Sequence, residues 1–357
     1  MASSTYLTNQ FLLSSVQRFQ REGMAAMALL QASFFLLLAL MAHTNSEQGY
    51  TSKETLATLR QINARGPFIG IVVSNAFEMN PPLNSSSFKA NTLQYLDISG
   101  RRFRFGTVEG KKVIIVMTGL SMVNAGITTT LFKEWCIMGN ANSALEIGDV
   151  TIPQYWAHTG LWNWQRYGDG PKDVLALESN GDYTRDIGYL HFADFQNITG
   201  TGDNLLNNVW YQPEEVFPVD GTPEVRQHAF WVPVDTTYFN LSKNLEGLKL
   251  ERCINSTTCL PRAPVTVRVK RGISANVYLD NAAYRSFIYK KFNVTPVDME
   301  SAAVALICLQ QRTPFIVIRS LSDLAGGGSS LSNEANTYAA LAAQNAVSAT
   351  IKFMQLL

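Results

Sequence analysis

The chain has 357 residues, of which 46% are hydrophobic and 16% are charged, and its formal net charge is +1. These proportions are typical of a folded protein and exclude a mostly disordered one. The basic residues form no cluster larger than the short 262–271 region, so the chain lacks the positive surface that nucleic acids require and no nucleic-acid partner is expected. The composition favours a protein that binds small molecules or acts as a store.

The first 46 residues differ in composition from the rest of the chain. Residues 24–42 form an almost unbroken apolar run, with Arg18 and Arg21 ahead of it and small or polar residues behind it. This order is typical of a secretory signal peptide, so residues 1–46 are predicted to be a signal region with a long lead, starting at Met1 or Met24. One transmembrane anchor is the alternative, since the run is just long enough. A cleaved signal predicts a vacuolar or extracellular protein without a stable membrane partner.

Two further features fit passage through the secretory pathway. One is a set of Asn-x-Ser/Thr sequons, of which Asn240 and Asn255 lie in the most loop-like surroundings. The sequons are at Asn84, Asn197, Asn240, Asn255 and Asn293. The other is the pair Cys253 and Cys259, which bracket a polar loop and could form a disulfide in an oxidising compartment.

The remaining cysteines and histidines do not suggest a metal centre. Cys308 falls on the apolar side of a predicted helix, so we expect a buried thiol there. The four histidines are scattered and no cysteine pair has ligand spacing. Neither a metal nor another cofactor is expected.

Hydrophobic periodicity predicts strands and helices in alternation over residues 47–357, which we expect to form one domain. Helices are predicted at 52–62, 122–134, 277–292 and 333–357, and strands at 67–74, 102–108 (an edge strand), 112–118, 150–153 and 263–269. Residues 80–100 are turn-rich, and residues 168–262 are predicted to be a loop-rich insertion. Residues 135–139 leave only about five positions for a strand after the second helix.

Two strand ends carry candidate polar residues. Glu78 follows the 67–74 strand and is either a carboxylate that stabilises the first turn of a helix or a functional group at the sheet edge. Ser121 follows the 112–118 strand at a glycine turn before a helix. Such a turn is either a site for an anion or a sugar oxygen, or a simple connection.

The most informative stretch is 295–328, which predicts a strand, a helix at 301–311, a strand at 314–319 and a glycine-rich loop. Parallel strands joined by one crossover have their carboxyl ends at the same sheet edge, where ligands bind in open α/β sheets. Glu300 and Asp323 are therefore expected to lie side by side. Taken singly, Glu300 is better explained as a helix-start carboxylate and Asp323 as a turn former, and only the two together favour a ligand site.

Together the motifs IGIVVSNAFEM, GTVEGKKVIIVMTGLSMVNAG, EIGDVTIPQYW, VDMESAAVA and PFIVIRSLSDLAGG resemble the nucleoside phosphorylase/nucleosidase superfamily. Within it, the plant bark storage and vegetative storage proteins are the most similar branch, over residues 66–357. The resemblance implies an α/β fold: a three-layer α/β/α sandwich with a mixed, partly barrel-like central sheet. It also implies a homo-oligomer and, as a ligand, either a purine nucleoside or none.

Enzymes of this superfamily break the bond between a purine base and ribose, with water in nucleosidases and phosphate in phosphorylases. The resemblance implies that Asp323 protonates the purine at N7 and that Glu78 activates water. Glu300 would hold the ribose hydroxyls, Met299 would line the sugar and Tyr278 would stack on the base. Carboxylic groups suit this chemistry because the transition state is cation-like.

Two departures from the family pattern argue against active catalysis, and the second also makes phosphate a less expected attacking group than water. About ten residues of a central strand are missing around 135–139, and no phosphate contacts are recognisable around residues 73–80. We therefore expect a storage-type member with reduced or absent catalysis. The alternatives are a purine nucleosidase that acts on methylthioadenosine-like nucleosides, and a binding role for a carbohydrate or nucleoside without chemistry.

Overall fold

The computed structural model describes residues 53–129, 138–164, 189–191, 208–327 and 334–357. The apolar run at 24–42, the sequon at Asn197 and most of 165–207 lie outside these ranges. The chain divides into two compact units, Met1–Arg65 and Gly66–Leu357. In the first unit the structure describes one helix, α1 (Lys53–Ala64), close to the predicted 52–62. Among the described residues, no helix has the length and apolar character needed to cross a membrane.

The second unit alternates strands and helices. Its strands are β1 (Ile69–Val73), β2 (Phe88–Ile98), β3 (Arg101–Val108), β4 (Lys111–Met117), β5 (Met138–Asn140), β6 (Val150–His158), β7 (Trp162–Trp164), β8 (Tyr189–His191), β9 (Asn208–Tyr211), β10 (Glu214–Val216), β11 (Gln227–Ala229), β12 (Val232–Pro233), β13 (Thr266–Ser274), β14 (Val294–Asp298) and β15 (Arg319–Leu324). Its helices are α2 (Ala76–Asn84), α3 (Met122–Thr129), α4 (Thr236–Leu241), α5 (Ala282–Phe292), α6 (Ser301–Gln310) and α7 (Glu334–Leu356), with a 3₁₀ turn at Ser242–Leu245.

The first sheet has four strands in the order β1-β4-β3-β2, with β1 and β4 parallel. The prediction that 102–108 is an edge strand was wrong, because β3 lies inside this sheet and β2 forms its edge. The turn-rich interpretation of 80–100 was also wrong, since α2 and β2 occupy most of it. Most of β2 is exposed, so its polar sequence lacks the apolar alternation that identifies a strand.

The second sheet is mixed and has six strands in the order β12-β6-β13-β14-β5-β15. Its strands β6, β13 and β14 run parallel. The sheet curls so that β15 pairs with both β5 and β6, which gives it the partly barrel-like character that was expected.

Helices cover both faces of this sheet. In the segment before β15, Phe315 and Val317 pack in a cluster with α3 and α6, whereas Ile316 and Ile318 pack with α7 on the other side. Alternate residues of one extended segment thus enter two different hydrophobic cores. The α/β fold with three layers and a mixed sheet is confirmed.

The shortened central region contributes the three-residue strand β5, which lies between β14 and β15. Residues 130–137, which include the end of the helix predicted at 122–134, lie outside the described ranges. The backbone of Gly139 pairs with Val297 on one side and with Asp323 on the other. A row of paired residues, Val297, Gly139 and Asp323, therefore connects β14 to β15 across β5.

Two details of that stretch differ from the prediction. The strand predicted at 314–319 is displaced: β15 begins at Arg319, whose partner is Thr151 of β6, so Asp323 lies within a strand and not in a loop. The parallel crossover was also wrong, because β5 runs antiparallel to β14 but parallel to β15. Local apolar pattern does not specify a ladder partner, and the partner sets both register and direction.

The disulfide and the buried thiol agree with the sequence. Cys253 and Cys259 are bonded to each other, and Cys308 is buried in α6. The loop that the disulfide closes carries the sequon at Asn255.

Two glycines give a matched test of packing. Gly272 of β13 faces the buried ring of Trp156, and a Cβ added there would come within 2.7 Å of the ring. Gly272→Ala is therefore expected to lower the free energy of unfolding by about 1–3 kcal/mol. In α3, a Cβ added at Gly126 meets, among the described residues, only Ile307 at 3.7 Å, so Gly126→Ala is expected to raise the free energy of unfolding by about 0.5–1 kcal/mol. Denaturant titration of both variants measures these changes in the free energy of unfolding. Changes of the same sign in the two variants would contradict the prediction.

Candidate functional site

A cavity of about 170 Å³ lies where the loops after β1, β4, β13 and β14 meet β15 and α7. Five of the predicted site residues line it: Glu78, Tyr278, Met299, Glu300 and Asp323. The other lining residues are Ser74, Asn75, Phe77, Leu120, Val277, Leu279, Val297, Asp298, Ser322, Ala335 and Ala339. The structure thus brings together three carboxylic side chains from distant parts of the sequence.

Glu300 occupies the turn between β14 and α6 and is 3% exposed. One carboxylate oxygen accepts a hydrogen bond from the backbone N–H of Ser121 at 2.9 Å, and the other accepts from the N–H of Met299 at 3.3 Å. Ser121 has a φ of 94°, a left-handed conformation that the turn after β4 imposes. The predicted residue Ser121 therefore reaches the site through its backbone, which orients Glu300.

The surroundings of Glu300 favour its protonated form. Burial raises the pKa of Glu300 to about 8, and the negative charges of Asp298 and Glu78 act in the same direction. The hydrogen bonds from Ser121 and Met299 only partly offset these effects. A ligand that donates hydrogen bonds to this carboxyl would stabilise its ionised form.

Glu78 is 4% exposed and lies in the first turn of α2, as the simpler interpretation predicted, yet it also lines the cavity. Its carboxylate accepts hydrogen bonds from the N–H of Ser74 at 2.6 Å, the hydroxyl of Ser74 at 2.9 Å and the side-chain amide of Asn75 at 3.1 Å. Asn75 also caps the helix by accepting from the N–H of Glu78. These donors fix the carboxylate in one orientation.

Asp323 is half-buried near the end of β15, and its carboxylate accepts a hydrogen bond from the hydroxyl of Ser322 at 2.6 Å. Tyr278 lies close to it: burial raises the pKa of Tyr278, and the charges of Asp323 and Asp280 add to this. Tyr278 was predicted to lie in a helix, but α5 begins only at Ala282, where Asn281 caps it. Tyr278 therefore belongs to a loop and is 62% exposed at the cavity.

A family model described as the Phosphorylase superfamily matches residues 68–354. The chain belongs to this superfamily. Bark storage protein A of Populus deltoides is 33% identical over 270 residues, which cover 72% of this chain and 78% of that protein, and bark storage protein B of the same species matches equally. A 5′-methylthioadenosine/S-adenosylhomocysteine nucleosidase of Bacillus cereus is 25% identical over 245 residues, covering 66% of this chain and 78% of that protein.

Solved structures of the superfamily share the fold. The 5′-methylthioadenosine/S-adenosylhomocysteine nucleosidase of Helicobacter pylori has a TM-score of 0.52 at 16% identity, covering 82% of this chain and 100% of that one. The enzyme of the same name from Neisseria meningitidis also has a TM-score of 0.52, at 17% identity, covering 81% and 99% of the two chains.

The charge of the cavity is one-sided. The described residues that line it include four carboxylic groups, Glu78, Asp298, Glu300 and Asp323, but no lysine or arginine. Without a basic side chain in its described lining, the site offers no charged partner to an anion such as phosphate and favours neutral or cationic ligands.

A second cavity, of about 40 Å³, lies between β1, α2 and α7. Its lining is almost entirely apolar, and Glu78 is the one carboxylate among its described lining residues. Since a single water needs about 10–15 Å³ of such volume, this cavity holds only a few water-sized molecules. It is too small to compete with the larger cavity as a ligand site.

Sequence reasoning missed the residues that hold the Glu300 turn. Asp298 is buried and accepts hydrogen bonds from Ser274, from Ser301 and from Arg319 at 2.5 Å. The available signal was a charged residue at the end of each of two apolar runs, PVD and FIVIR, because a buried charge requires a partner.

Proposed function

We propose that the cavity binds a purine nucleoside and that the chain hydrolyses its N-glycosidic bond. The observation that carries this proposal is that Glu78, Glu300 and Asp323 line one cavity. The names of the similar nucleosidases support methylthioadenosine and S-adenosylhomocysteine as the substrate class. This reverses the order of preference drawn from the sequence, because the shortened strand β5 still joins the two halves of the site.

Each carboxylic group has a place in the proposed reaction. Asp323, in its acid form, donates a proton to N7 of the purine while the bond between C1′ and N9 breaks and its electron pair stays with the base. Glu78 accepts a proton from the water whose oxygen attacks C1′, so that the products are a free purine and a free sugar. Glu300 accepts hydrogen bonds from the ribose hydroxyls and stabilises the cation-like sugar.

Met299 and Tyr278 complete the proposed binding site. Met299 lies between Asp298 and Glu300 and provides an apolar surface for the sugar, while the exposed ring of Tyr278 is placed to stack on the base. The absence of basic groups among the described lining residues favours water over phosphate as the attacking group.

Storage of nitrogen, with reduced or absent catalysis, is the second candidate. The 33% identity to bark storage protein A favours it, and so does the three-residue length of β5. In that case the cavity would be inherited from an enzyme without being used for turnover. The homo-oligomer that the resemblance implies is compatible with both candidates.

Incubation with methylthioadenosine, with and without inorganic phosphate, separates these functions. The proposed hydrolysis predicts adenine and a free sugar at a rate that phosphate does not increase. Dependence on phosphate, with a sugar phosphate as product, would overturn hydrolysis. Release of adenine no faster than in the Asp323→Asn variant would leave storage as the function.

We also propose that the chain enters the secretory pathway and reaches the vacuole or the extracellular space. The sequon asparagines Asn84, Asn240, Asn255 and Asn293 are exposed, but the hydroxyl residues Ser242 and Thr295 of the sequons at Asn240 and Asn293 are buried. Asn255 lies in the disulfide-closed loop, where its side-chain oxygen accepts hydrogen bonds from the N–H groups of Thr257 at 2.9 Å and Thr258 at 2.8 Å. Its amide nitrogen is thereby presented on a constrained surface turn.

Glycosylation at Asn255 tests the secretory route. Protein expressed in a secretory eukaryotic host is expected to lose mass when treated with a peptide N-glycosidase. The Asn255→Gln variant should carry one glycan fewer, whereas Asn244→Gln, which alters an exposed asparagine outside any sequon, should match the unaltered protein. Intact-mass measurement decides, and a secreted protein without glycan would contradict the prediction.

A further inference from the structure

The two halves of the cavity lie on strands that do not pair directly. Glu300 follows β14, Asp323 lies on β15, and the three-residue β5 separates these strands. The row from Val297 through Gly139 to Asp323 spans two strand spacings, or about 10 Å between the outer backbones. So short a strand supplies few hydrogen bonds, and a second connection between β14 and β15 would be needed to fix this distance.

Arg319 provides such a connection. It is the first residue of β15, and its guanidinium donates to the carboxylate of Asp298 at 2.5 Å and to the hydroxyl of Ser301 at 3.0 Å. The hydroxyl of Ser301 in turn donates to Asp298 at 2.6 Å. One side chain of β15 thus contacts the residues on either side of the Met299–Glu300 turn.

Asp298 ties the same turn to the neighbouring strand and to α6. Its carboxylate accepts from the backbone N–H of Ser301 at 3.1 Å and from the hydroxyl of Ser274 at the end of β13. The hydroxyl of Ser274 accepts from the N–H of Ala302 at 2.8 Å. Four polar side chains therefore form one connected network directly beneath the Glu300 turn.

This network is unlike an ordinary surface ion pair. The side chains of Arg319 and Asp298 are 0% and 2% exposed, respectively. A buried ion pair adds little net stability compared with apolar residues of the same volume, because both charges lose their hydration. Its presence is better explained by the fixed, two-pronged geometry that a guanidinium imposes.

We propose that Arg319 is a positioning residue of the site: its ion pair with Asp298 holds the turn that carries Glu300 at a fixed distance from the strand that carries Asp323. The inference rests on the proposed function, since it assigns the pair the task of aligning the sugar-binding carboxylate with the acid that protonates the base. A misplacement of about 1 Å in such an arrangement can lower a rate about a hundredfold.

The pair also has an electrostatic consequence. Among the residues that the structure describes, the charged groups around Glu300 are Asp298 on β14, Glu78 on α2, Asp323 in the same cavity and, through Asp298, Arg319 on β15. Asp298 raises the pKa of Glu300, and Arg319 partly neutralises Asp298. Removing Arg319 leaves two coupled carboxyl groups that share protons, so the higher pKa of this pair should increase.

Three variants and one matched control test the inference. Arg319→Lys keeps the charge but loses the two-pronged contact, Arg319→Met removes both, and Asp298→Asn combined with Arg319→Met removes both charges. The control is Arg262→Met, which breaks an ion pair of the same length, 2.5 Å to the buried Asp149, among residues that do not line the cavity.

Two measurements are made on each protein. Steady-state purine release gives kcat and KM, and carbon-13 shifts of the glutamate and aspartate carboxyl groups give their pKa values without ligand, with Glu300→Gln used for assignment. We expect Arg319→Lys to lower kcat about tenfold to a hundredfold with little change in KM. Arg319→Met should also raise the higher of the two pKa values of the Asp298 and Glu300 pair by about one unit. In the double variant the pKa of Glu300 should fall below its value in the unaltered protein, while kcat stays low.

The outcomes are separable. If Arg319→Lys and Arg262→Met behave alike in kcat, or Arg319→Met leaves the pKa unchanged, the positioning role is wrong. If the unaltered protein releases no purine, the proposed function fails, but the pKa measurement still decides the inference. A shift in Arg319→Met without one in Arg262→Met would then support the inference, and no shift would overturn it.

Discussion

Asp323→Asn is expected to lower kcat for purine release by about 10²–10⁴-fold, the usual contribution of a positioned general acid. An amide has nearly the shape of a carboxyl group but cannot give a proton to N7. Its oxygen can still accept the hydrogen bond from the hydroxyl of Ser322, so β15 should be undisturbed. The free energy of unfolding should therefore change by less than about 1 kcal/mol. Kinetics and thermal denaturation of the same sample measure both quantities.

The matched control for this variant is Asp280→Asn. Asp280 lies in the same loop as Tyr278 and acts on its pKa, as Asp323 does, but it is exposed and does not line the cavity. The control should keep kcat and KM within about twofold, since exposed substitutions of this kind change little. If Asp323→Asn keeps more than a tenth of the activity, another group must protonate the base and the proposed mechanism is wrong.

The parts of the fold that the sequence predicted well are those with continuous apolar runs. Strands β1 and β4 are buried on both faces, and their runs end at turn residues, so both were predicted to within two residues. Helices α1, α6 and α7 were predicted equally closely, because a long run of helix-forming residues is a local property of the chain.

The errors arose where structure depends on a distant partner. The exposed strand β2 has no apolar pattern of its own and is defined by its ladder with β3. Strand β15 begins at Arg319 because Thr151 of β6 pairs with it there, and the apolar residues before it look just as strand-like. A residue pattern reports burial, but register and strand direction are set by contacts between segments far apart in sequence.

The candidate site shows the same division. Glu300 and Asp323 were expected to meet because of a parallel crossover that does not exist, yet they line one cavity because Gly139 pairs with both neighbouring strands. Residue types suited to the chemistry could be recognised from the sequence. The network of Asp298 and Arg319 could not, because a charged residue in an apolar run shows that a partner exists without showing which one.

Glu300→Gln is expected to remove most of the decrease in stability that occurs as the pH rises from about 5 to 8. Burial raises the pKa of Glu300 from 4.5 to about 8 and that of Asp298 from 3.8 to about 6. The folded protein therefore binds more protons than the unfolded chain between these values, and its stability decreases as the pH rises through this range. Glutamine does not titrate, so at pH 8 the variant should be more stable than the unaltered protein by an amount on the order of 3 kcal/mol.

Thermal denaturation at pH 5 and pH 8 measures this difference. At pH 5 Glu300 is protonated in the folded protein, so the two proteins should melt at similar temperatures. A smaller slope should persist in the variant below about pH 6, since Asp298 still titrates there. Glu246→Gln, in an exposed ion pair far from the cavity, should reproduce the unaltered curve. If Glu300→Gln and the unaltered protein show the same dependence of melting temperature on pH, the pKa of Glu300 is not raised in the folded protein and the prediction is wrong.

A costly carboxyl group in a cavity is best explained by what it binds. If ribose hydroxyls donate hydrogen bonds to Glu300, binding stabilises its ionised form, so the affinity for a nucleoside should rise with pH up to about 8 and be independent of pH in Glu300→Gln. In an acidic compartment the protein would then be most stable and bind nucleosides weakly, and near neutral pH it would bind them at the expense of stability.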